Sequence, residues 1–189
     1  MLPGSGMIGR VETTGLELEV AAYDDPASVR FVDAVQAFYR ERYGGIDRTP
    51  VDPAEFAPPR GIFLLGALPG VGPVCCGGWR RLTAEAIPAA DRGVLRPLDA
   101  EIKRMWVDPA HRRRGFAVAL LEELERTAAA AGCRRTVLET GTRQPEAEAL
   151  YRRQGYRPIP NFGVHRDEPD STCFARGLDP RGGGRAARG

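Results

Sequence analysis

The segment from residue 101 to residue 140 constrains the fold of this chain most, because three regular elements follow one another in it with little between them. Residues 101–107 alternate between polar and apolar side chains, which predicts a β-strand. Residues 115–131 carry apolar side chains at helical spacing, and Gly132 predicts the end of that helix. Residues 136–140 predict a second strand. The predicted order is therefore strand, basic loop, helix and strand.

These periodicities also predict the direction of side chains. In the first strand, one face is predicted to carry Glu101, Lys103, Met105 and Val107. In the helix, the inward stripe is predicted to contain Ala117, Leu121, Leu124 and Ala128. The outward face of the helix is predicted to carry Glu122, Glu125 and Arg126.

The rest of the chain predicts further strands, two more helices and one long connector. The strands are predicted at 16–20, 62–65, 74–79 and 172–176. A Pro-Gly turn at 69–72 joins the middle two strands into a hairpin. Asp25 and Pro26 predict the start of one helix, and residues 145–154 predict the other. Residues 46–60 contain four prolines and predict an irregular connector.

The length of 189 residues fits one globular domain, predicted at 16–178 between flexible Gly-rich tails at 1–15 and 179–189. The net charge of +2 is too small to indicate a polyanionic partner. No stretch approaches the roughly 18 apolar residues of a membrane span, and the first residues lack the pattern of an export signal. We therefore expect a cytoplasmic protein that binds neither nucleic acid nor membrane.

Scarce residue types exclude several kinds of chemistry. His111 and His165 are the two histidines, which excludes a His-rich metal centre and an HExxH protease. None of the three serines lies in a GxSxG motif, which excludes that class of serine hydrolase. The four cysteines lack CxxC spacing and are expected to be reduced core residues: Cys75, Cys76, Cys133 and Cys173.

The basic loop at 111–117 has the chemistry of an anion site. A helix N-terminus presents unpaired N–H groups and the positive end of the helix dipole. Gly115 allows the backbone to approach a ligand closely, and Ala117 keeps the next turn small. Three arginines, Arg112, Arg113 and Arg114, add positive charge. The loop predicts a diphosphate site, and a solvated basic turn before an ordinary helix is the alternative that these residues leave open.

Two motifs resemble the GCN5-related N-acetyltransferases, the GNAT family. Their signature, R/Q-x-x-G-x-G/A after a strand ending in V-x-P, is matched by Arg112, Gly115 and Ala117 after residues 107–109. A second family motif, L-Y-x-x-x-G-F/Y, is matched by residues 150–156. The resemblance extends over the whole predicted domain, and several local stretches resemble actinobacterial members of the family.

The resemblance implies an α/β fold, the GNAT acyl-CoA N-acyltransferase fold. It consists of a mixed sheet of about six or seven strands, flanked by about four helices and splayed between the strands at Met105 and Leu138. Acetyl-CoA would enter the splay as a cosubstrate, without a metal. Backbone contacts to its pantetheine arm are implied for Met105, Trp106 and Val107. Its diphosphate would be held by Arg112, Arg113, Arg114, Gly115, Phe116, Ala117 and Val118. Gln144 stands where many members have Asn and would contact the coenzyme arm.

The reaction implied by the resemblance is direct attack of an amine on the thioester. The site must then remove a proton from an ammonium group, stabilise an oxyanion and protonate a thiolate. Tyr151 matches the family's general acid and also contacts the coenzyme. Glu139 and Glu101 are the two candidates for the base, and a water relay is a further alternative. His165 is expected to lie on the surface, and a contact with the substrate is the alternative.

The resemblance therefore implies an acetyl-CoA-dependent N-acetyltransferase. Its acceptor would be a primary amine of a small molecule, a peptide or a protein, and a homodimer would be compatible with the family. A coenzyme-binding module without turnover is the alternative. A nucleic-acid binder is disfavoured, because acidic residues are interspersed with the arginines and no aromatic stacking platform accompanies them.

Overall fold

The computed structural model describes residues 7–11, 15–46 and 51–179. Three α-helices lie in this part of the chain: α1 (Pro26–Tyr43), α2 (Phe116–Ala130) and α3 (Pro145–Arg153). The first four strands of this part of the chain are β1 (Met7–Val11), β2 (Leu16–Ala21), β3 (Gly61–Leu68) and β4 (Gly72–Arg81). The others are β5 (Asp99–Val107), β6 (Arg135–Gly141), β7 (Arg157–Ile159) and β8 (Ser171–Gly177).

The strands form one mixed sheet in the order β1-β2-β3-β4-β5-β6-β8-β7. Neighbours are antiparallel except β5 and β6, which are parallel and are connected through α2. The α/β fold class is thus confirmed. Seven strands lie between residues 16 and 178, and this agrees with the six or seven strands that the resemblance implied. An eighth strand, β1, lies in the segment where we expected an irregular tail. Apart from β1, the structure describes only Gly15 and Asp179 of the two predicted tails. Residues 47–50 of the connector also fall outside the described residues.

Local sequence signals set the ends of the helices. The side chain of Asp25 accepts a hydrogen bond from the backbone N–H of Ala27 and caps α1, which begins at Pro26. Gly115 and Gly132 stand on either side of α2, and both adopt a φ of 84°. Because side chains other than glycine rarely adopt such a φ, these two positions define where α2 begins and ends.

A β-bulge in β5 corrects one expectation from the sequence. Cys76 pairs with Trp106 and Gly78 pairs with Lys103, so β5 has two residues where β4 has one. Arg104 adopts a φ of 58° at this point. The extra residue reverses the alternation, and the prediction that Glu101, Lys103, Met105 and Val107 share one face is therefore wrong. Met105 and Val107 pack against the core under α2, on the same face as Ala100 and Ile102.

The sheet has a core on each face. The larger core lies between the sheet and the pair α2 and α3, and includes Leu120, Leu121 and Leu124. On the opposite face, α1 covers a cluster around Phe63. Glu125, which we expected to point outward, is buried on α2 and accepts hydrogen bonds from Tyr156 and Arg176. An apolar stripe predicts which residues lie at the centre of a buried helix face. Whether the polar residues beside the stripe are buried depends on the elements that pack against them.

The four cysteines are free and buried, as predicted. Burial raises the pKa of the Cys75 and Cys173 thiols to about 12, against a smaller opposing effect of backbone hydrogen bonds. These thiols are therefore protonated at neutral pH and are poor nucleophiles.

Candidate active site

The parallel strands β5 and β6 separate after three paired positions. Their last pair is Glu101 with Val137, and beyond it β6 continues on the other side with β8. On its opposite edge β5 remains paired with β4 as far as Val107. The stretch from Ile102 to Val107 therefore has no strand partner on the β6 side within the described part of the chain. A wedge between two parallel strands leaves backbone groups that an extended ligand can bind as an added strand.

A small inner cavity of about 60 Å³ lies in this wedge. Its wall includes Ile102, Lys103, Met105, Thr140, Ala147 and Tyr151. A larger outer cavity of about 760 Å³ lies between the C-terminal end of α1 and the loop before β8. Its wall includes Tyr43, Gly141, Val164, His165, Glu168 and Asp170.

Three side chains belong to the walls of both cavities: Tyr39, Glu139 and Gln144. Glu139 is the one carboxylate among them, and its side chain is 15% exposed. Its Oε1 atom accepts a hydrogen bond of 2.7 Å from the Ser171 hydroxyl. A carboxylate that faces both cavities is suitably placed to exchange a proton with a molecule in either one.

Glu101, the other carboxylate suggested by the sequence, is absent from the walls of both cavities. Its side chain is buried and accepts a hydrogen bond of 2.8 Å from Arg80 Nε. Lys103 Nζ lies 3.7 Å from its other oxygen, and Arg80 also pairs with Glu55 at 2.6 Å. Glu101 is thus one member of a network of ion pairs that joins β4 to β5.

Tyr151 lies on α3 and belongs to the wall of the inner cavity. The hydroxyl is 3.8 Å from the Sδ atom of Met105, and the ring packs edge-on against Tyr156 at 5.6 Å between centroids. Burial raises the pKa of Tyr151 well above its ordinary value, and the negative charge of Glu139 raises it further. The hydroxyl therefore holds its proton throughout the neutral pH range.

The three arginines of the loop before α2 are exposed, and two of them also contact neighbouring groups. Arg112 Nε donates a hydrogen bond of 3.1 Å to the Val107 carbonyl, and its guanidinium lies 4.7 Å from the centre of the Trp106 ring. Arg114 lies 4.9 Å over the ring of Phe116. Two of the three arginine side chains are therefore engaged with neighbouring groups of the protein.

The first turn of α2 has amides available to a ligand. Val118 and Ala119 donate the first hydrogen bonds of the helix, both to the carbonyl of Gly115. The N–H groups of Phe116 and Ala117 precede this ladder, so neither has an acceptor within the helix. Together with Arg113, whose φ is 63°, and Gly115, these residues form a turn of the kind that binds phosphate through main-chain N–H groups.

Gln144 and Tyr43 meet at the boundary between the two cavities. Gln144 precedes α3, and its side-chain amide donates a hydrogen bond of 3.3 Å to the Tyr43 hydroxyl. Burial raises the pKa of Tyr43, and this hydrogen bond acts in the opposite direction. Gly141 lies against the hydroxyl end of Tyr43, since a Cβ atom added there would clash with the hydroxyl oxygen. The close packing fixes the end of α1 over the end of β6.

His165 does not lie on the open surface, and that expectation is wrong. Its side chain is 16% exposed and lines the outer cavity. Its Nε2 atom is 3.9 Å from Glu139 Oε2, and its Nδ1 atom is 3.3 Å from Glu168 Oε2. The sequence does contain a signal for this position. Glu168 follows His165 by three residues in a polar loop, and this spacing favours a contact between the two side chains.

Tyr39 and Tyr43 are cavity residues that the sequence did not identify as such. They lie one turn apart on α1, with 6.2 Å between the ring centroids. The sequence pattern that could have identified them is a pair of tyrosines, each with a polar hydroxyl, near the end of a helix that stops at Gly44. On sequence alone this pattern is equally typical of a helix that packs on a core.

Comparison with known proteins agrees with this geometry. The model of the acetyltransferase (GNAT) family matches residues 32–156. A protein described as an acyl-CoA N-acyltransferase from Klebsiella pneumoniae subsp. pneumoniae has a similar structure, with a TM-score of 0.68 and 27% identity over 87% of this chain and 98% of its own. The GNAT domain of S. lividans PAT shares the fold, with a TM-score of 0.66 and 20% identity over 94% of this chain and all of its own.

An IAA acetyltransferase from Azospirillum brasilense is 42% identical to this chain over 78 residues. The match covers 41% of this chain and 51% of the relative, so it spans about half of the relative's length.

The chain belongs to the acetyltransferase (GNAT) family. This confirms the resemblance inferred from the two motifs, together with the fold and the acetyltransferase class of enzyme. Membership implies acetyl-CoA as the cosubstrate. Across the described residues, no helix is both long enough and apolar enough to span a bilayer, and no cluster of three or more His, Cys, Asp or Glu could hold a metal ion.

Proposed function

We propose that this protein transfers the acetyl group of acetyl-CoA directly to a primary amine of an acceptor bound in the outer cavity. The observation that carries the proposal is the meeting of two cavities at Glu139, with Tyr151 in the wall of the inner one. Direct transfer needs two substrates that approach a common point from different sides. The wedge and the outer cavity provide these two approaches.

The fit of the coenzyme follows from the backbone. In our proposal the pantetheine arm lies along Met105, Trp106 and Val107, on the edge of β5 that has no strand partner within the described residues. The diphosphate is held by the N–H groups of residues 113–117, since the N–H of Val118 already donates to the Gly115 carbonyl, and Arg112 fixes the loop against Val107. Gln144, at the boundary of the two cavities, contacts the arm from the α3 side. The coenzyme supplies the acyl thioester that the acceptor attacks.

The acid and base roles follow from the positions of two side chains. Glu139 accepts a proton from the acceptor's ammonium group, directly or through one water molecule, because its carboxylate faces both cavities. Tyr151 protonates the departing thiolate as the C–S bond breaks, and it recovers a proton from the nitrogen that has formed the new C–N bond. Its raised pKa leaves the hydroxyl protonated at neutral pH between turnovers. Glu101 has a structural role, because both of its oxygens face cations in a buried network.

The outer cavity supports an amine acceptor by its charge. Its wall contains the carboxylates of Glu139, Glu168 and Asp170, which favour a cation, and the rings of Tyr39 and Tyr43, which offer apolar area. A relative named IAA acetyltransferase supports acetyl transfer but leaves the acceptor open. A cytoplasmic location, a homodimer, and the absence of nucleic-acid and membrane partners remain predictions from the sequence.

The decisive experiment measures release of free coenzyme A from acetyl-CoA with a panel of primary amines, from polyamines and aromatic amines to peptides with a free N-terminus. We expect turnover with at least one class of amine, and acetylation of that amine by mass spectrometry. Acetyl-CoA should also raise the thermal unfolding midpoint. Stabilisation by the coenzyme without release of thiol across the panel would favour the alternative, a binding module without turnover.

A further inference from the structure

Three ionisable side chains stand in a row along the wall of the outer cavity. Glu139 Oε2 lies 3.9 Å from His165 Nε2, and His165 Nδ1 lies 3.3 Å from Glu168 Oε2. The Ser171 hydroxyl donates to the other oxygen of Glu139, at 2.7 Å. The hydrogen bond from Ser171 therefore fixes the carboxylate of Glu139 with its second oxygen toward the imidazole.

Exposure increases along this row. The side chains of Glu139 and His165 are 15% and 16% exposed, whereas that of Glu168 is 44% exposed. The row thus leads from an enclosed carboxylate to one in contact with solvent. His165 is the connecting member, because its two ring nitrogens face the two carboxylates.

A base at the junction of two cavities must release a proton in every turnover. When substrates fill both cavities, they displace the water through which Glu139 would otherwise reach solvent. We propose that Glu139, His165 and Glu168 form a proton exit route, in which His165 carries the proton from the base to the rim of the outer cavity. The proposal rests on the proposed function, since it concerns the proton that the acceptor's ammonium group gives up.

The transfer balances as a sequence of proton movements. The ammonium group loses one proton to Glu139, whose carboxylate becomes a carboxylic acid. That acid passes a proton to the lone pair of His165 Nε2 after a small side-chain rotation, because 3.9 Å is too long for a direct hydrogen bond. The ring then releases its Nδ1 proton to Glu168, and Glu168 releases it to solvent. After the products leave, water removes the proton from Nε2 and another proton adds to Nδ1, which restores the starting tautomer.

The route operates when His165 is neutral. The ionisable groups that share the cavity wall with it are Tyr39 and Tyr43 from α1, Glu139 from β6, Glu168 from its own loop, and Asp170 from the segment before β8. Asp170 is paired with Arg143 at 3.2 Å, whereas Glu139 and Glu168 directly face the ring. Two adjacent carboxylates favour the charged imidazolium. At low pH the ring therefore carries both protons and cannot accept another, so turnover should rise as His165 loses its proton.

The test uses the fact that the chain has two histidines. In ¹⁵N-histidine-labelled protein, a pH titration by NMR follows both rings, and His111→Gln assigns the signals. We expect the midpoint of His165 to fall by about one pH unit in Glu168→Gln and in Glu139→Gln, because each variant removes a neighbouring negative charge. Glu123→Gln is the matched control, since Glu123 pairs with Arg126 on the far face of the sheet, and it should leave the midpoint unchanged.

An unchanged midpoint in either Glu168→Gln or Glu139→Gln overturns the proposal, because the route needs both contacts. If Glu139→Gln does not fold, Glu139→Asp takes its place in the titration. The shorter side chain keeps the negative charge but moves it away from His165 by the length of one methylene group. These titrations need no acceptor, so their outcome is separate from that of the amine panel.

With an accepted amine in hand, kinetics give the second readout. In the wild type, kcat should rise with pH at the midpoint that NMR gives for His165. In His165→Gln this dependence should disappear and kcat should fall at least about tenfold, with an unchanged KM for acetyl-CoA. Added imidazole should restore part of the activity of His165→Ala. A pH dependence of kcat that persists in His165→Gln would contradict the route.

Discussion

The Tyr151 hydroxyl lies 3.8 Å from the Sδ atom of Met105, although 46 residues separate the two in the chain. The contact joins α3 to β5 across the wedge between β5 and β6. Met105 reaches this position because the bulge at Arg104 turns its side chain to the α2 and α3 face of the sheet. The same bulge therefore brings the Met105 side chain beside Tyr151, at the edge of β5 that has no strand partner within the described residues.

Replacing Tyr151 with Phe should lower kcat by about 10²-fold or more, because the variant removes the proton donor for the leaving thiolate. The affinity for acetyl-CoA should change little, since the ring and its packing remain. Steady-state kinetics with an amine from the panel, together with calorimetric titration of the coenzyme, would measure both effects.

Tyr156→Phe is the matched control. Its ring packs against Tyr151 at 5.6 Å, but its hydroxyl bonds to Glu125 and Thr136 and takes no part in the walls of the two cavities. It should lose about 1 kcal/mol of stability and keep its kcat. Equal kcat values for Tyr151→Phe and Tyr156→Phe would remove Tyr151 from the acid role.

Replacing Gly115 with Ala should weaken acetyl-CoA binding. The φ of 84° at Gly115 costs a residue with a Cβ about 1–2 kcal/mol, so the loop would shift away from the geometry that presents its N–H groups. Gly132 is an unusually close control, because it has the same φ of 84° at the other end of α2 and no atom within 4 Å of an added Cβ.

Both glycine variants should therefore lose similar thermal stability, but Gly115→Ala alone should lose coenzyme affinity. Isothermal titration with acetyl-CoA and thermal unfolding of the two variants would separate the effects. Unchanged affinity in Gly115→Ala would show that this turn does not hold the diphosphate.

The two carboxylates suggested by the sequence should behave differently when replaced with Gln. Glu139→Gln should lower kcat by about 10²-fold or more at little cost in stability, because it removes the base. Glu101→Gln should instead lower stability by up to about 3 kcal/mol, since it removes one buried counter-charge from both Arg80 and Lys103, while Arg80 keeps its pairing with Glu55. Urea unfolding and kinetics of both variants would measure the contrast, and a larger loss of kcat in Glu101→Gln would reverse our assignment.

Glu125 should make stability depend on pH. Burial raises its pKa above the ordinary value of 4.5, against the opposing effects of Arg176 and Tyr156. Between the ordinary and the raised pKa, the folded state binds a proton that the unfolded state has released. The free energy of unfolding therefore falls as pH rises through this interval, by at most about 1.4 kcal/mol per pH unit.

Urea unfolding of the wild type and of Glu125→Gln from pH 4 to pH 7 would measure this effect as the difference between the two proteins. Relative to the variant, the wild type should be most stable at the acidic end of the range. The other carboxylates titrate in both proteins, so their contribution to the free energy of unfolding cancels when the value for the variant is subtracted from that for the wild type. A difference that is constant with pH would be inconsistent with a raised pKa for Glu125.

Much of the fold could be predicted because its signals are local. α2 was expected at 115–131 and spans Phe116–Ala130, since two glycines with positive φ and an apolar stripe define it within its own sequence. The hairpin of β3 and β4 and the helix α3 follow from turn and capping residues in the same way. The motifs that identified the family also lie on these local elements, which is why the resemblance was visible before the structure.

The family, the order of the three helices and of six strands, and the residues of the loop before α2 followed from local sequence signals, whereas β1 and β7 were not predicted. The tertiary structure alone decided that the bulge reverses β5, that Glu139 rather than Glu101 faces the cavities, and that His165 lies beside Glu139. The reason is physical: periodicity and capping depend on neighbours in the chain. The distance between side chains on α1, β6 and the loop before β8 depends on how those elements pack together.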